Sequence, residues 1–245
     1  MTSITEQQSR SNQLYWVADN TIASGFPPVS SALRDPDGLL AIGGDLSPAT
    51  LLDAYQKGIF PWYSSGQPIL WWSPNPRCIL ELDDLKISNS LRKTIRKGIY
   101  QTSFNQAFTR VVRSCSGPRK GNDDTWITGE MYRAYTELHN QGHAISVETW
   151  HQDELVGGLY GVVIGRVFFG ESMFSRKTDA SKIALVQLVQ ELKYRQFRII
   201  DCQVHSRHLQ SLGAKPMQRD AFINLLEYYC ASKPVYHWPK HRIQL

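Results

Sequence analysis

Between residues 144 and 175 the chain alternates long apolar runs with tight polar turns. Ala144 to Trp150, Glu154 to Ile164 and Arg166 to Phe174 read as three consecutive strands, joined at Gln152-Asp153 and at Gly165. From about Ala180 the period becomes helical, with Leu185, Leu188, Val189 and Leu192 on one buried face. Arg198 to Val204 reads as a strand, followed by a short helix, Gly213-Ala214 and a last helix from about Asp220 to Cys230. Upstream, Ser88 to Lys97 and Asn105 to Ser114 read as helices flanking a short strand near Tyr100. Thr128 caps a helix running to Gln141, which Gly142 closes.

Before Arg77 this regularity is missing. Ser47 reads as the cap of a short helix from Ala49 to Lys57, with Pro48 in its first turn and Gly58 at its end. The rest of the segment is dense in Pro, Gly and Trp, with too little periodicity for a sheet or bundle of its own. The expected organisation is a flexible tail (1–14), a small irregular N-terminal domain (15–76) and a larger domain (77–245). Trp71 and Trp72 are expected to pack between the two domains.

Composition narrows the class. The 245 residues contain 42% hydrophobic and 20% charged side chains, ordinary for a globular protein. No apolar run approaches the length needed to cross a bilayer. Residues 1–8 are polar and lack the apolar core of a signal peptide, so cytoplasm is expected. Cys78, Cys115, Cys202 and Cys230 lie far apart in sequence and read as free thiols, with no metal-type spacing. Between Lys86 and Lys120 stand nine basic residues and no acid, bracketed by Asp83-Asp84 and Asp123-Asp124. Such a field suits a phosphate-rich partner. A solvated helix face accounts for it equally well.

Two strands carry an acid where packing would favour an apolar residue: Glu171 within Phe168 to Ser175, and Asp201 within Ile199 to Val204. A buried carboxylate costs free energy unless it is paired or hydrogen-bonded, so the two insertions mark a candidate site. Three antiparallel strands, a helix, a further strand and a helix resemble the GCN5-related acetyltransferase (GNAT-like) fold, an α+β architecture with a mixed, mainly antiparallel sheet. That fold holds coenzyme A on a glycine-containing turn before its central helix. Here the turn is Ser175-Arg176-Lys177-Thr178-Asp179-Ala180, without glycine, which argues against coenzyme A.

Over nearly the whole chain after the tail, the sequence resembles the leucyl/phenylalanyl-tRNA–protein transferase family. The resemblance rests on Gly38 to Ser47, Gly58-Ile59-Phe60-Pro61-Trp62, Leu70 to Pro74 and Thr125-Trp126-Ile127-Thr128. It continues through Leu155 to Gly158, Gly170 to Ser175, Ala180-Ser181-Lys182, Asp201 to Val204 and Ser211-Leu212-Gly213-Ala214. It implies transfer of Leu or Phe, less well Met, from aminoacyl-tRNA to proteins beginning with Arg or Lys. The modified proteins are thereby marked for degradation through their N-terminal residue. An ester becomes an amide, so neither a cofactor nor a metal is expected, and neither a Walker-type loop nor a cluster of metal ligands stands in the sequence. A monomer is expected.

The resemblance also implies roles. Asp201 and Gln203, two apart on one strand, share a face; with Asp201 accepting from the Gln203 side-chain amide, the Gln203 carbonyl would aim at the incoming amine. A hydrogen-bonded pair that merely ends the sheet would have the same spacing. Glu171 would hold an amine in the same cleft, or else pair with Lys182 or Arg176 at the surface. Leu159, Phe168, Met173, Leu185, Leu188, Leu192 and Ile200, with Gly170, would line a side-chain pocket; alone, the set reads as core. Relatives carry larger aromatics on the central helix where Leu188 and Leu192 stand, so a wider pocket is expected. Trp62 and Trp126, with Tyr55 and Tyr135 nearby, would stack on the terminal adenine. Arg92, Lys93, Arg96 and Lys97 would follow the acceptor stem's phosphates. Ser206 stands where many relatives have Asn. Two other readings stay open: transfer to a non-protein acceptor such as a cell-wall precursor, and a non-catalytic tRNA-binding module.

Overall fold

The computed structural model describes residues 14–18, 25–117, 127–232, 238–239 and 242–244. Its N-terminal part contains β1 (Tyr15–Val17), β2 (Leu39–Gly43), α1 (Pro48–Gln56), β3 (Phe60–Pro61) and β4 (Leu70–Trp72). The start of α1 follows from local chemistry. The Ser47 hydroxyl accepts from the Thr50 amide at 3.3 Å, and Asp45 Oδ1 accepts from the Ser47 amide at 2.8 Å and the Thr50 hydroxyl at 2.9 Å. Gly58 ends the helix at φ 72°, and a Cβ there would stand 2.5 Å from Ile223 Cδ1.

The four strands form a sheet of their own in the order β1-β2-β4-β3, which corrects the expectation of an irregular segment. Strands of two to five residues are too short to display a period of two, and β2 finds β4 across the intervening helix. Trp71 is fully buried beneath this layer; its indole N–H donates to the Gly43 carbonyl at 2.8 Å.

From Arg77 onward the elements are β5 (Arg77–Glu81), α2 (Asn89–Arg96), β6 (Gln101–Phe104), α3 (Phe108–Cys115), α4 (Gly129–Asn140), β7 (Ala144–His151), β8 (Glu154–Ile164), β9 (Val167–Ser175), α5 (Ala180–Tyr194), β10 (Ile199–Gln203), α6 (Arg207–Ser211), β11 (Lys215–Met217), α7 (Arg219–Cys230) and β12 (Ile243–Gln244). The second sheet runs β11-β5-β10-β9-β8-β7-β6-β12, with β9 and β10 parallel and every other pair antiparallel. The three central strands and helices α4, α5 and α7 lie within a residue or two of their expected bounds.

Both faces of this sheet are covered, which explains the near-continuous apolar runs of β7 and β8. Tyr160, Val162, Phe169 and Ile199 point to the side shared with α1, α3, α4 and the N-terminal sheet. Leu159, Val163, Phe168 and Ile200 point to the α5 side. Gly157 lets α5 approach: a Cβ there would lie 2.6 Å from the Cβ of Ala180. A third strand acid, Glu148, is structural. Buried in β7, it accepts from the Ser103 and Ser146 hydroxyls and from the amides of Gln106 and Ala107, anchoring the start of α3.

Candidate functional site

The site forms where β9 and β10 part. Their pairing covers only Val167–Phe169 against Ile199–Asp201. Beyond Asp201 the register of β10 against β5 shifts, and Gln203 adopts φ 61°, uncommon for a residue with a Cβ. The bulge is held from within: the Gln203 amide N–H donates to Asp201 Oδ1 at 2.9 Å, and the Val204 amide to the Cys202 carbonyl at 2.8 Å. It re-aims the Gln203 side chain, whose Nε2 donates to Glu171 Oε1 at 2.9 Å.

These contacts correct one sequence expectation. Asp201 accepts from the backbone of Gln203 rather than from its side-chain amide, because the bulge breaks the alternation that would have placed both on one face. Asp201 is also wholly enclosed, at 0% exposure. It is held by Arg77, whose Nε and Nη2 donate to Asp201 Oδ1 and Oδ2 at 2.8 and 2.7 Å. Arg77 in turn lies over the rings of Phe60 and Phe222, at 4.6 and 4.9 Å to the centroids, and Nη1 donates to the Gly58 carbonyl at 3.1 Å. Sequence reasoning missed Arg77, one of 27 Lys and Arg residues with no local mark of its role.

Glu171 lies at the centre. Neither cation suggested by the sequence reaches it: Lys182 pairs with Asp179 at 2.9 Å, and Arg176 donates to the Ser114 hydroxyl at 3.1 Å. Its partners are Tyr55 and Tyr135. The Tyr55 hydroxyl is 2.6 Å from Glu171 Oε1, the Tyr135 hydroxyl is 2.7 Å from Oε2, and the two hydroxyls are 2.6 Å apart. Three oxygen–oxygen contacts need three protons, but two phenols beside an ionised carboxylate carry only two. The circuit closes fully when Glu171 is protonated. Desolvation, with the nearby Asp201 charge, raises the Glu171 pKa from 4.5 to about 7, while hydrogen bonds from Tyr55, Tyr135 and Gln203 oppose the rise. Burial and the Glu171 charge push both phenols well above their ordinary range. Tyr55 and Tyr135, expected near the terminal adenine, are each 0% exposed.

A cavity of about 400 Å³ opens in the gap, the size of a small-ligand site. Of the residues expected in a pocket, Leu159, Phe168, Gly170, Glu171, Met173, Leu185, Leu188 and Ile200 line it. Leu192 does not; it is fully buried in the core beneath α5. The lining also includes Leu80, Tyr160 and Cys202 of the sheet, and Ser206, His208 and Leu209 from the start of α6. Ser206 caps α6, its hydroxyl accepting from the Leu209 amide at 3.2 Å. The cavity therefore combines largely apolar walls with an acid whose pKa is raised to about 7.

Outside the cavity, Trp62 is 45% exposed, its ring 5.8 Å from that of Trp72, whose indole N–H donates to the Trp62 carbonyl at 2.7 Å. Trp126 lies outside the described residues. Arg92, Lys93, Arg96 and Lys97 are all exposed on α2. This helix is tied to the start of α5 by the Thr94 hydroxyl, which donates to Asp179 Oδ2 at 2.9 Å. Asp179 in turn holds Lys182, and burial together with the Lys182 charge lowers the pKa of His208 at the cavity. Among the described residues, no group of three or more His, Cys, Asp or Glu side chains could hold a metal ion, and no helix is long and apolar enough to cross a membrane.

The sequence profile described as leucyl/phenylalanyl-tRNA protein transferase matches residues 79–227, and the profile of that family's N-terminal domain matches residues 44–75. The chain is 51% identical over 225 residues to the leucyl/phenylalanyl-tRNA–protein transferase of Stutzerimonas stutzeri (strain A1501), covering 92% of this chain and 99% of that one. It is 49% identical over 230 residues to the same-named protein of Pseudomonas syringae pv. syringae (strain B728a), covering 94% and 100%. With that of Nitrosomonas eutropha (strain DSM 101675 / C91 / Nm57) the identity is 57% over 201 residues, covering 82% and 86%. Among solved structures, L-PGS from Bacillus licheniformis aligns at a TM-score of 0.36 and 14% identity, over 81% of this chain and 65% of that one, a likeness too slight to bear on the fold.

Proposed function

The chain belongs to the leucyl/phenylalanyl-tRNA–protein transferase family of aminoacyltransferases, and from that premise we propose that its cavity receives the Leu or Phe side chain of an aminoacyl-tRNA while the α-amino group of a protein beginning with Arg or Lys attacks the ester. The observation that carries this reading is the cavity itself, lined by Leu159, Phe168, Met173, Leu185, Leu188 and Ile200 and also by Glu171. An apolar side chain has its complement in the walls, and an amine has its complement in the acid.

The proton balance supports the same arrangement. The acceptor arrives as an ammonium. One proton enters the Glu171–Tyr55–Tyr135 circuit, which gains its third hydrogen, and the amine attacks the ester carbonyl. The second proton leaves with the ribose oxygen as the ester becomes an amide. Gln203 Nε2 is committed to Glu171, so its carbonyl oxygen is left to orient the amine. Asp201 and Arg77 act through Gln203 as positioning residues.

The wider reading is a small N-terminal domain ending at Pro76 and a GNAT-like domain from Arg77. It is supported by separate sheets on either side of that boundary and by the parting of β9 from β10. The proposed working form is a monomer in the cytoplasm, where charged tRNA is found. Exposed Trp62 is assigned to the terminal adenine. Trp62→Ala should raise KM for charged tRNA by roughly 5- to 100-fold with little change in kcat, since stacking is worth about 1–3 kcal/mol per base; steady-state kinetics would read this. The α2 cations, linked through Asp179 and Lys182 to the His208 rim, are assigned to acceptor-stem phosphates. Neutralising Arg92, Lys93, Arg96 and Lys97 together should flatten the salt dependence of tRNA binding by about three units of log–log slope. An unchanged slope would remove that assignment.

The decisive assay mixes the protein, radiolabelled Leu-tRNA or Phe-tRNA, and a protein beginning with Arg. Label should pass to the acceptor, and acetylating the acceptor's N-terminus should abolish the transfer. No transfer from any charged tRNA would sink the reading.

A further inference from the structure

All four cysteines are free thiols, as expected, but Cys78 and Cys202, far apart in sequence, meet across β5 and β10. Ile79 pairs with Asp201 and Cys78 with Gln203, so the bulge leaves Cys202 as the extra residue beside Cys78. Both side chains turn to the face of Leu80 and Ile200, away from that of Ile79 and Ile199. The Cys202 Sγ stands 3.9 Å from the Ile200 carbonyl oxygen, and its thiol lies close enough to Cys78 to favour the thiolate there. Cys78 is sealed at 1% exposure, whereas Cys202 fronts the cavity. A bulge sets two residues of one strand, here Cys202 and Gln203, against one residue of its partner, here Cys78, which brings Cys202 beside Cys78 without making them a directly opposed pair.

We propose that Cys78 and Cys202 form a reversible disulfide when peroxide enters the cavity, and that this modification stops aminoacyl transfer. The contact with Cys78 and burial hold the Cys202 thiol well above its ordinary range, so Cys202 passes its proton to the Cys78 thiolate as its sulfur takes an oxygen from hydrogen peroxide in the cavity, giving the sulfenic acid and releasing one water. Cys78 then attacks that sulfur; the S–S bond forms, the S–O bond breaks, and the hydroxyl leaves with the thiol proton as a second water. Two thiols have supplied the two electrons that reduce one peroxide. The contact with Cys202 and the Arg77 charge favour the thiolate of Cys78, the attacking group.

The consequence for transfer follows from the neighbours. Bonding at about 2.05 Å draws the two strands together at this point. Cys78 is adjacent to Arg77, and Cys202 lies between Asp201 and Gln203, so the bond displaces the positioning pair and the side chain it aims. Only this second half rests on the proposed site roles.

The test treats the full chain with hydrogen peroxide and maps its peptides by mass spectrometry, beside the transfer assay. A Cys78–Cys202 linked peptide, two hydrogens lighter than its parts, is expected, and dithiothreitol should abolish it. Transfer should fall at least about tenfold on oxidation and recover on reduction, since misplacement by an ångström can cost about a hundredfold. Cys78→Ala should keep basal transfer and resist peroxide. Oxidation to the sulfinic acid without linkage would overturn the proposal, and so would a linked protein that transfers at the reduced rate. The linked peptide is read without any activity, so its absence is distinguishable from failure of the transferase reading.

Discussion

Glu171→Gln is expected to lower the turnover of aminoacyl transfer by at least about a hundredfold, the lower end of what a positioned base contributes, while binding of charged tRNA changes little. Glutamine matches the shape of the carboxyl and can still face both phenols, but it cannot take a proton. Burial has moved the Glu171 pKa to about 7, so wild-type transfer should rise with pH through about 7 as the acid ionises. The variant should lose that rising limb. Turnover near the wild-type value, with the limb intact, would place the proton elsewhere.

The same shift has a consequence for stability. The folded protein retains on Glu171 a proton that the unfolded chain, with its ordinary pKa of 4.5, releases. Stability associated with this group is therefore greatest at low pH and is lost between 4.5 and about 7. The loss is up to about 3 kcal/mol, at 1.36 kcal/mol per unit. Glu171→Gln has no proton to lose. Its Tm should match the wild type at pH 5 and exceed it by several degrees at pH 8, measured by calorimetry. A base carried at a cost in stability is the usual signature of a site kept for chemistry.

The second large effect belongs to Arg77. Removing it as Arg77→Met leaves Asp201 buried and unpaired, which costs about 3–5 kcal/mol. For a chain of this size that corresponds to a Tm lower by roughly 6–20 °C. Arg77→Lys should recover only part, since an ammonium cannot bond both carboxylate oxygens and the Gly58 carbonyl while lying flat between Phe60 and Phe222. The informative variant carries Arg77→Met and Asp201→Leu together. Without a stranded charge it should regain much of the stability, yet the Gln203 amide has lost its acceptor and transfer should stay low. A double variant with wild-type turnover would reduce Arg77 and Asp201 to a structural pair.

How much of this was legible differs from element to element. The β7-β8-β9-α5-β10 unit was readable because its runs are long and its punctuation is local: Gln152-Asp153 and Gly165 mark the turns. Helix α1 was readable from Ser47 and Pro48 for the same reason. The N-terminal sheet was not, because a two-residue strand such as Phe60–Pro61 acquires its identity only from its neighbour. Gln203 could be singled out, but its direction could not, since a bulge at φ 61° reverses the alternation that a regular strand implies. Cys78 and Cys202 met for a similar reason, through a register that no local pattern encodes.

By itself the sequence determined the family, the order of the main elements, the apolar walls of the pocket and the two acids, Glu171 and Asp201, that interrupt its strands. Those properties are carried by residues in a row, where propensity, capping and periodicity act over a few positions. Only the tertiary structure decided what the acids do. Asp201 meets Arg77 from 124 positions away, and Glu171 meets Tyr55 from 116 away and Tyr135 from 36. Enclosure with a guanidinium suits Asp201 to hold Gln203 in place. Enclosure among phenols, with no cation paired to it among the described residues, leaves Glu171 able to gain or lose a proton near neutral pH. The side chains are chemically alike, and their different roles come from desolvation and partners, which exist only once the chain has folded.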